Sequence, residues 1–238
     1  NNKIIGKNNE HGILNAGYDN TVLGNGSSTL GINLKSEGRG SFAAGESCSV
    51  NGKSSIVLGY SNNIKGNLAL SFGYRNKSLS HRSFTFGASN ISIGCNSISV
   101  GINNKSNNTN SLALGTDNFA NGSKSLCLGC GNKSLFFSTT SFGFSNTSVG
   151  KHSFAIGRKN ISNGERSLSI GNDNLITKKG IHSIALGSNN EIDTINSIII
   201  GEDNITNGNK SIVIGNKNRF SNGLYSISIG SNVVAVGH

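Results

Sequence analysis

The 238-residue sequence predicts an all-β fold, a parallel β-roll solenoid of about sixteen 14-residue coils with two short strands in each. Three observations predict it. First, the pattern Ser-φ-x-φ-Gly (φ apolar) recurs down the chain, and its Gly falls every 14 residues from Gly17 to Gly171 without a slip. Second, there are 33 Gly and 38 Asn but no Pro, Met or Trp, and charged residues make up only 13%. Third, hydrophobic residues amount to 34%, too few for a conventional layered core. Competing classes fall away on the same numbers. Disorder brings high charge and Pro, and collagen needs Gly at every third position with abundant Pro. No apolar stretch approaches the roughly 18 residues of a membrane-spanning helix, and no basic-then-apolar signal peptide opens the sequence.

Each element of the coil follows from the pattern, with Ser as position 1 and Gly as position 5. Clear copies end at Gly45, Gly59, Gly87, Gly101, Gly115, Gly129, Gly157, Gly171, Gly187, Gly201, Gly215 and Gly230, with weaker ones at Gly17, Gly31, Gly73 and Gly143. Steps after Gly171 are 16, 14, 14 and 15 residues, the extra residues lying near 178–180 and 223–225. Positions 2 and 4 are apolar, an alternation that predicts a short strand over positions 1–4 with 2 and 4 facing the core. Gly at 5 permits the tight turn out of it. Position 8 is Asn in twelve successive coils: Asn62, Asn76, Asn90, Asn104, Asn118, Asn132, Asn146, Asn160, Asn174, Asn190, Asn204 and Asn218. This column is expected to form an inward ladder of side-chain amides, on a second strand over about positions 8–11 whose position 10 is mostly small. The sequons that contain these Asn, such as Asn76-Lys77-Ser78, then follow from the repeat. Asn-Gly pairs such as Asn51-Gly52 and Asn121-Gly122 close the coil, at turns expected to need φ > 0.

On this register positions 1 and 3 point outward. None of their 32 residues is charged. A flat, charge-free face of small residues is expected to meet a partner, most simply in a homo-oligomer closed around an axis. Its candidate contact residues are Val57, Ala113, Ala155, Ala185, Ile199 and Val213. Position 9 carries Lys35, Lys77, Lys105, Lys133, Glu191 and Arg219, a solvated face.

The coil consensus, clearest in SLALG at 111–115, SFAIG at 153–157 and SIALG at 183–187, resembles the YadA-like head repeat of trimeric autotransporter adhesins. The resemblance runs over roughly residues 4 to 237 and makes the whole of 1–238 one head domain. It implies a left-handed roll, a homotrimer, and a place at the distal tip of an outer-membrane-anchored surface fibre that binds host matrix proteins, glycans or cells. Residues 231–238, SNVVAVGH, are similar to the segment where such heads pass into their neck. Asn at position 8, Ser at position 10 and four Cys depart from the family pattern.

The formal charge is +10, from 21 Lys and Arg against 11 Asp and Glu. Much of the excess gathers at positions 13 and 14, as Lys53, Arg82, Lys124, Lys151, Arg166 and Lys210. This basic edge is the candidate ligand-binding surface, and evenly spaced cations suit an anionic glycan, an acidic matrix protein or the cell surface. Neither aromatic interleaving nor a nucleic-acid-binding module accompanies them, so nucleic acid is not an expected partner. Nor is membrane insertion of this segment. Tyr18, Tyr60, Tyr74 and Phe144 at position 6 are further contact candidates.

No catalytic site, cofactor site or metal site is expected. Cys127 and Cys130 have CxxC spacing without a second pair. Cys48, Cys95, Cys127 and Cys130 read as small fillers of the repeat, and His11, His81, His152, His182 and His238 share no coil position. Carboxylates are too scattered for paired acid–base work. A chain of this kind is expected to act as an adhesin head through many weak contacts summed by avidity. The alternatives are a structural or receptor-binding segment of a viral or phage fibre, to which four unpaired Cys lend weight, and an ice-binding solenoid, which the mixed position 3 disfavours. A left-handed β-helix acyltransferase would need 18-residue coils.

Overall fold

The computed structural model describes residues 2–4, 13–221 and 223–236, and among them there are strands, turns and bends but no helix. His11, His238 and the last two residues of the neck-like segment 231–238 lie outside the described residues. The chain divides into two compact units, Asn1–Asp117 and Asn118–His238.

Both units are built alike. Nearly every coil contributes one long strand at positions 2–6, such as Ile56–Tyr60 or Phe154–Arg158, and one two-residue strand at positions 9–10, such as Lys77–Ser78 or Ile161–Ser162. Against the expected 1–4 and 8–11, the first strand thus starts one residue later and ends two later, and the second is trimmed at both ends. Long strands pair only with long strands of adjacent coils, in parallel and in register, so that Gly59, Gly73 and Gly87 lie side by side in the first unit. Gly143, Gly157 and Gly171 do the same in the second. Short strands pair likewise, as Lys77–Ser78 with Ile91–Ser92. Each unit is therefore a two-sheet parallel roll whose ladder bonds all run from coil to coil.

The interior reverses the expected register. Positions 1 and 3 face inward: Ser55, Val57, Ser111, Ala113, Ser153 and Ala155 are buried. Positions 2 and 4 face outward and stay half-buried or exposed, as with Ile56, Phe86, Ile98, Phe142 and Phe154. The cause is the width of the lumen. Opposite positions 1 and 3 stand positions 8 and 10, and two sheets joined by such short turns leave room mostly for Ser, Ala, Asn and Thr, with occasional larger residues. Most hydroxyls there are paired across the lumen and between coils, as Ser78 Oγ with Thr85 Oγ1 at 2.9 Å and Ser141 Oγ donating to Ser148 Oγ at 3.0 Å, with Ser153 and Ser228 as exceptions. A buried hydroxyl in a hydrogen bond carries little penalty, which is how so polar an interior remains stable. Where larger residues enter they cluster, as Ile176, Ile192, Ile199, Val213 and Phe220.

Turn chemistry also differs from expectation. Positive φ falls on the Gly of position 5, as expected (Gly59, φ 115), and also on positions 7 and 14, at Arg75 (φ 53), Asn103 (φ 57), Lys124 (φ 57) and Asp203 (φ 55), among others. The Gly of the Asn51-Gly52 and Asn121-Gly122 pairs has no such φ. Gly52 is instead required by closeness, because a Cβ there would lie 2.8 Å from Ser55 Oγ and closer still to the Gly66 carbonyl. The two residues added near 178–180 are absorbed in a turn. Asn190 N–H still donates to Asn174 Oδ1 at 3.0 Å across 16 residues.

Candidate binding surfaces

The Asn column organises the interior rather than a surface. Asn76 illustrates it: Nδ2 donates to the Phe72 carbonyl of its own coil at 2.8 Å and to the Gly87 carbonyl of the next at 2.7 Å. Its Oδ1 accepts from Asn90 N–H at 2.9 Å. One side chain thus satisfies three backbone groups that the turn leaves over. The pattern repeats at Asn62, Asn76, Asn90 and Asn104 in the first unit. In the second it runs through Asn118, Asn132, Asn146, Asn160, Asn174, Asn190, Asn204 and Asn218. Asn20 opens the column, and Leu34 and Cys48 interrupt it. The Cys48 thiol lies 3.3 Å from the Gly59 carbonyl and stands in for the missing amide.

Because of this interior, Val57, Ala113, Ala155, Ala185, Ile199 and Val213 are all 0% exposed within one chain and cannot form an intersubunit surface. That assignment is corrected. The dry outer face belongs to positions 2 and 4, where Leu30, Ile56, Phe86 and Ile98 in the first unit, and Phe142, Phe154 and Ile200 in the second, present large apolar side chains to the outside. A sequence signal for this exists in size. Position 2 ranges from Ser28 to Phe42 and position 4 from Ala44 to Phe72, a spread that a narrow lumen cannot accept, whereas positions 1, 3 and 8 hold no aromatic residue and are mostly Ser, Ala, Thr or Asn.

The six residues of the basic edge are exposed on the turns that end each coil. Lys53 and Arg82 lie in the first unit, and Lys124, Lys151, Arg166 and Lys210 in the second. Lys124 Nζ sits 5.4 Å above the Phe137 ring, whose edge meets His152. Arg166 Nη1 lies 3.2 Å from His182 Nε2, and Lys210 Nζ donates to Tyr225 OH at 2.7 Å. Among the described residues the ion pairs are Lys35–Glu37 and Lys179–Asp193, so no carboxylate neutralises this edge. In those two pairs the hydrogen bond from the lysine, foremost, holds the carboxyl below its usual range.

The position 6 aromatics are exposed, and Tyr60 and Tyr74 stack with centroids 5.4 Å apart. All four cysteines are free thiols. Burial raises Cys48, and pushes Cys127 up to about 11, away from the range of a reactive thiolate. Among the described residues no three His, Cys, Asp or Glu gather as a metal site would need.

Residues 93–118 and 140–174 match, in two copies, the family described as the YadA head domain repeat. No curated protein matches the chain. The matched residues contain both signatures of the coil, a five-residue strand ending beyond Gly and a buried Asn three residues later, and coils before and after them repeat both. Over those residues the chain is similar to YadA head repeats.

Proposed function

We propose that this protein is a surface adhesin head that assembles as a homotrimer and binds a matrix protein, a glycan or a cell surface by multivalent contacts. Its place is the cell surface, at the tip of an outer-membrane-anchored fibre, and the reading assigns it no catalysis. The observation that carries it is the apolar outer face of the long strands. Rows of Ile, Leu and Phe at positions 2 and 4 are left without a partner in one chain, and faces of that size and chemistry are covered by association. A closed three-fold arrangement covers the same face on every protomer and turns the exposed basic edges outward in three copies. Sedimentation tests it. The unaltered head should sediment as a trimer, and Phe142→Glu combined with Ile156→Glu should yield folded monomers, because like charges would meet in a dry interface. A trimer that persists in the double variant overturns the interface, and loss of adhesion to cell monolayers should accompany monomerisation.

A further inference from the structure

In the first unit the side chains of positions 7 and 9 form the two walls of a groove of about 430 Å³, lined by Ser61, Arg75, Lys77, Ser89, Ile91 and Asn103. We propose that this groove binds an acidic oligosaccharide and that Arg75 and Lys77 hold its carboxylate, a proposal that rests on the adhesin reading and specifies its ligand. Arg75 is held in place: its Cζ lies 4.9 Å above the Tyr74 ring, and Tyr74 is stacked on Tyr60. A guanidinium fixed on an aromatic ring keeps its donors for an anion and loses little freedom on binding one. Neither Arg75 nor Lys77 belongs to the two ion pairs found among the described residues. Two neighbouring cations in a concave site whose lining holds no carboxylate, the nearest one named being Asp117 on Asn103, are chemistry for a ligand.

The equivalent groove of the second unit shows what the first lacks. There Lys217 and Arg219 share the walls with Glu191 and Asp203, so cations and anions are mixed in one site of about 510 Å³. Fold alone makes the groove; the charge is particular to the first unit.

The groove favours a sugar over an acidic peptide. A peptide docking on a sheet normally adds a strand and needs unpaired backbone groups. Here the wall N–H groups are already used: Arg75 N–H donates to Tyr60 O at 2.9 Å, Ser89 to Tyr74 at 2.8 Å, Lys77 to Asn90 at 2.8 Å and Ile91 to Asn104 at 2.9 Å. What remains for a ligand is two hydroxyls and two cations, the Asn103 amide being already engaged as a donor to Asp117 Oδ1 at 2.5 Å. Ser61 and Ser89 are two coils apart, about 10 Å at the ordinary strand spacing, which is the length of one disaccharide unit.

The test measures binding of the full chain to a hyaluronan octasaccharide, to its carboxyl-reduced form and to poly-glutamate. The octasaccharide should bind, more weakly as salt rises, and the carboxyl-reduced form should not. Arg75→Gln and Lys77→Gln should each weaken binding about tenfold, while Lys217→Gln and Arg219→Gln should leave it unchanged. Unaltered binding in Arg75→Gln and Lys77→Gln, equal binding of the carboxyl-reduced sugar, or tighter binding of poly-glutamate overturns the proposal. A head that adheres to cell monolayers but ignores the octasaccharide overturns the site and spares the adhesin reading. A head that takes the octasaccharide but adheres to no surface does the opposite.

Discussion

At the scale of the residue, the Asn at position 8 does what no other side chain of its size could. It offers two donors inward and one acceptor along the axis. Asn146 donates to the Phe142 and Gly157 carbonyls and accepts from Asn160 N–H. Asn146→Ala leaves three buried groups without partners and should cost about 3 kcal/mol or more, measured by urea unfolding. Asn146→Asp should be worse at neutral pH, since a buried carboxylate would face two carbonyls with no donor to offer. Its deficit should shrink as acid protonates it, the sign expected of a carboxyl whose folded pKa is raised. Cys48→Asn should extend the ladder and stabilise by about 1 kcal/mol, read as a raised Tm. The thiols test the same interior. At pH 8 iodoacetamide should modify exposed Cys95 in the native protein and spare Cys127, which is buried with its pKa pushed up to about 11, until urea is added.

At the scale of the element, the long strand shows how far the sequence could be read. The 14-residue period, the two strands, the parallel stacking and the inward Asn were all legible, because each depends on backbone geometry that only a few residue types tolerate. Which side of the long strand faces inward was not, because alternation fixes the two faces without naming them. The usual rule that large apolar residues go inside fails where the inside is narrow. Ala155 and Ile199 therefore report on folding within one chain. Ala155→Glu should prevent folding outright, seen as loss of the β signal in circular dichroism, since the lumen holds neither space nor a counter-charge. Ile199→Ala should cost about 2–4 kcal/mol through the cavity it leaves among Ile176, Ile192 and Val213. The basic edge was legible as a charge pattern. The Arg75–Lys77 groove was not, because its walls are seven-to-nine neighbours brought together by stacking, and Tyr74 matters only once its ring lies under Arg75.

At the scale of the whole molecule, stability rests on repetition and scarcely on charge. The Lys35–Glu37 and Lys179–Asp193 pairs have lowered carboxyl pKa values, so their contribution is present at neutral pH and is lost as pH falls through the carboxylate range. Both pairs are solvent-accessible, so that contribution is small, and Tm should fall by only a few degrees between pH 7 and pH 3. Removal of residues 140–153, which joins Thr139 directly to Phe154, should leave a folded protein in circular dichroism, whereas removal of seven residues should not. A nearest-neighbour stack loses one unit and closes over the gap. The bond from Asn190 to Asn174 carries this further. That bond ignores how many residues lie between its partners and requires only that one coil has been completed. A gene encoding such a chain can gain or lose whole coils, or lengthen one turn, without disturbing what lies beneath. Its outer face is thus free to drift under selection by whatever it touches, while the interior keeps count.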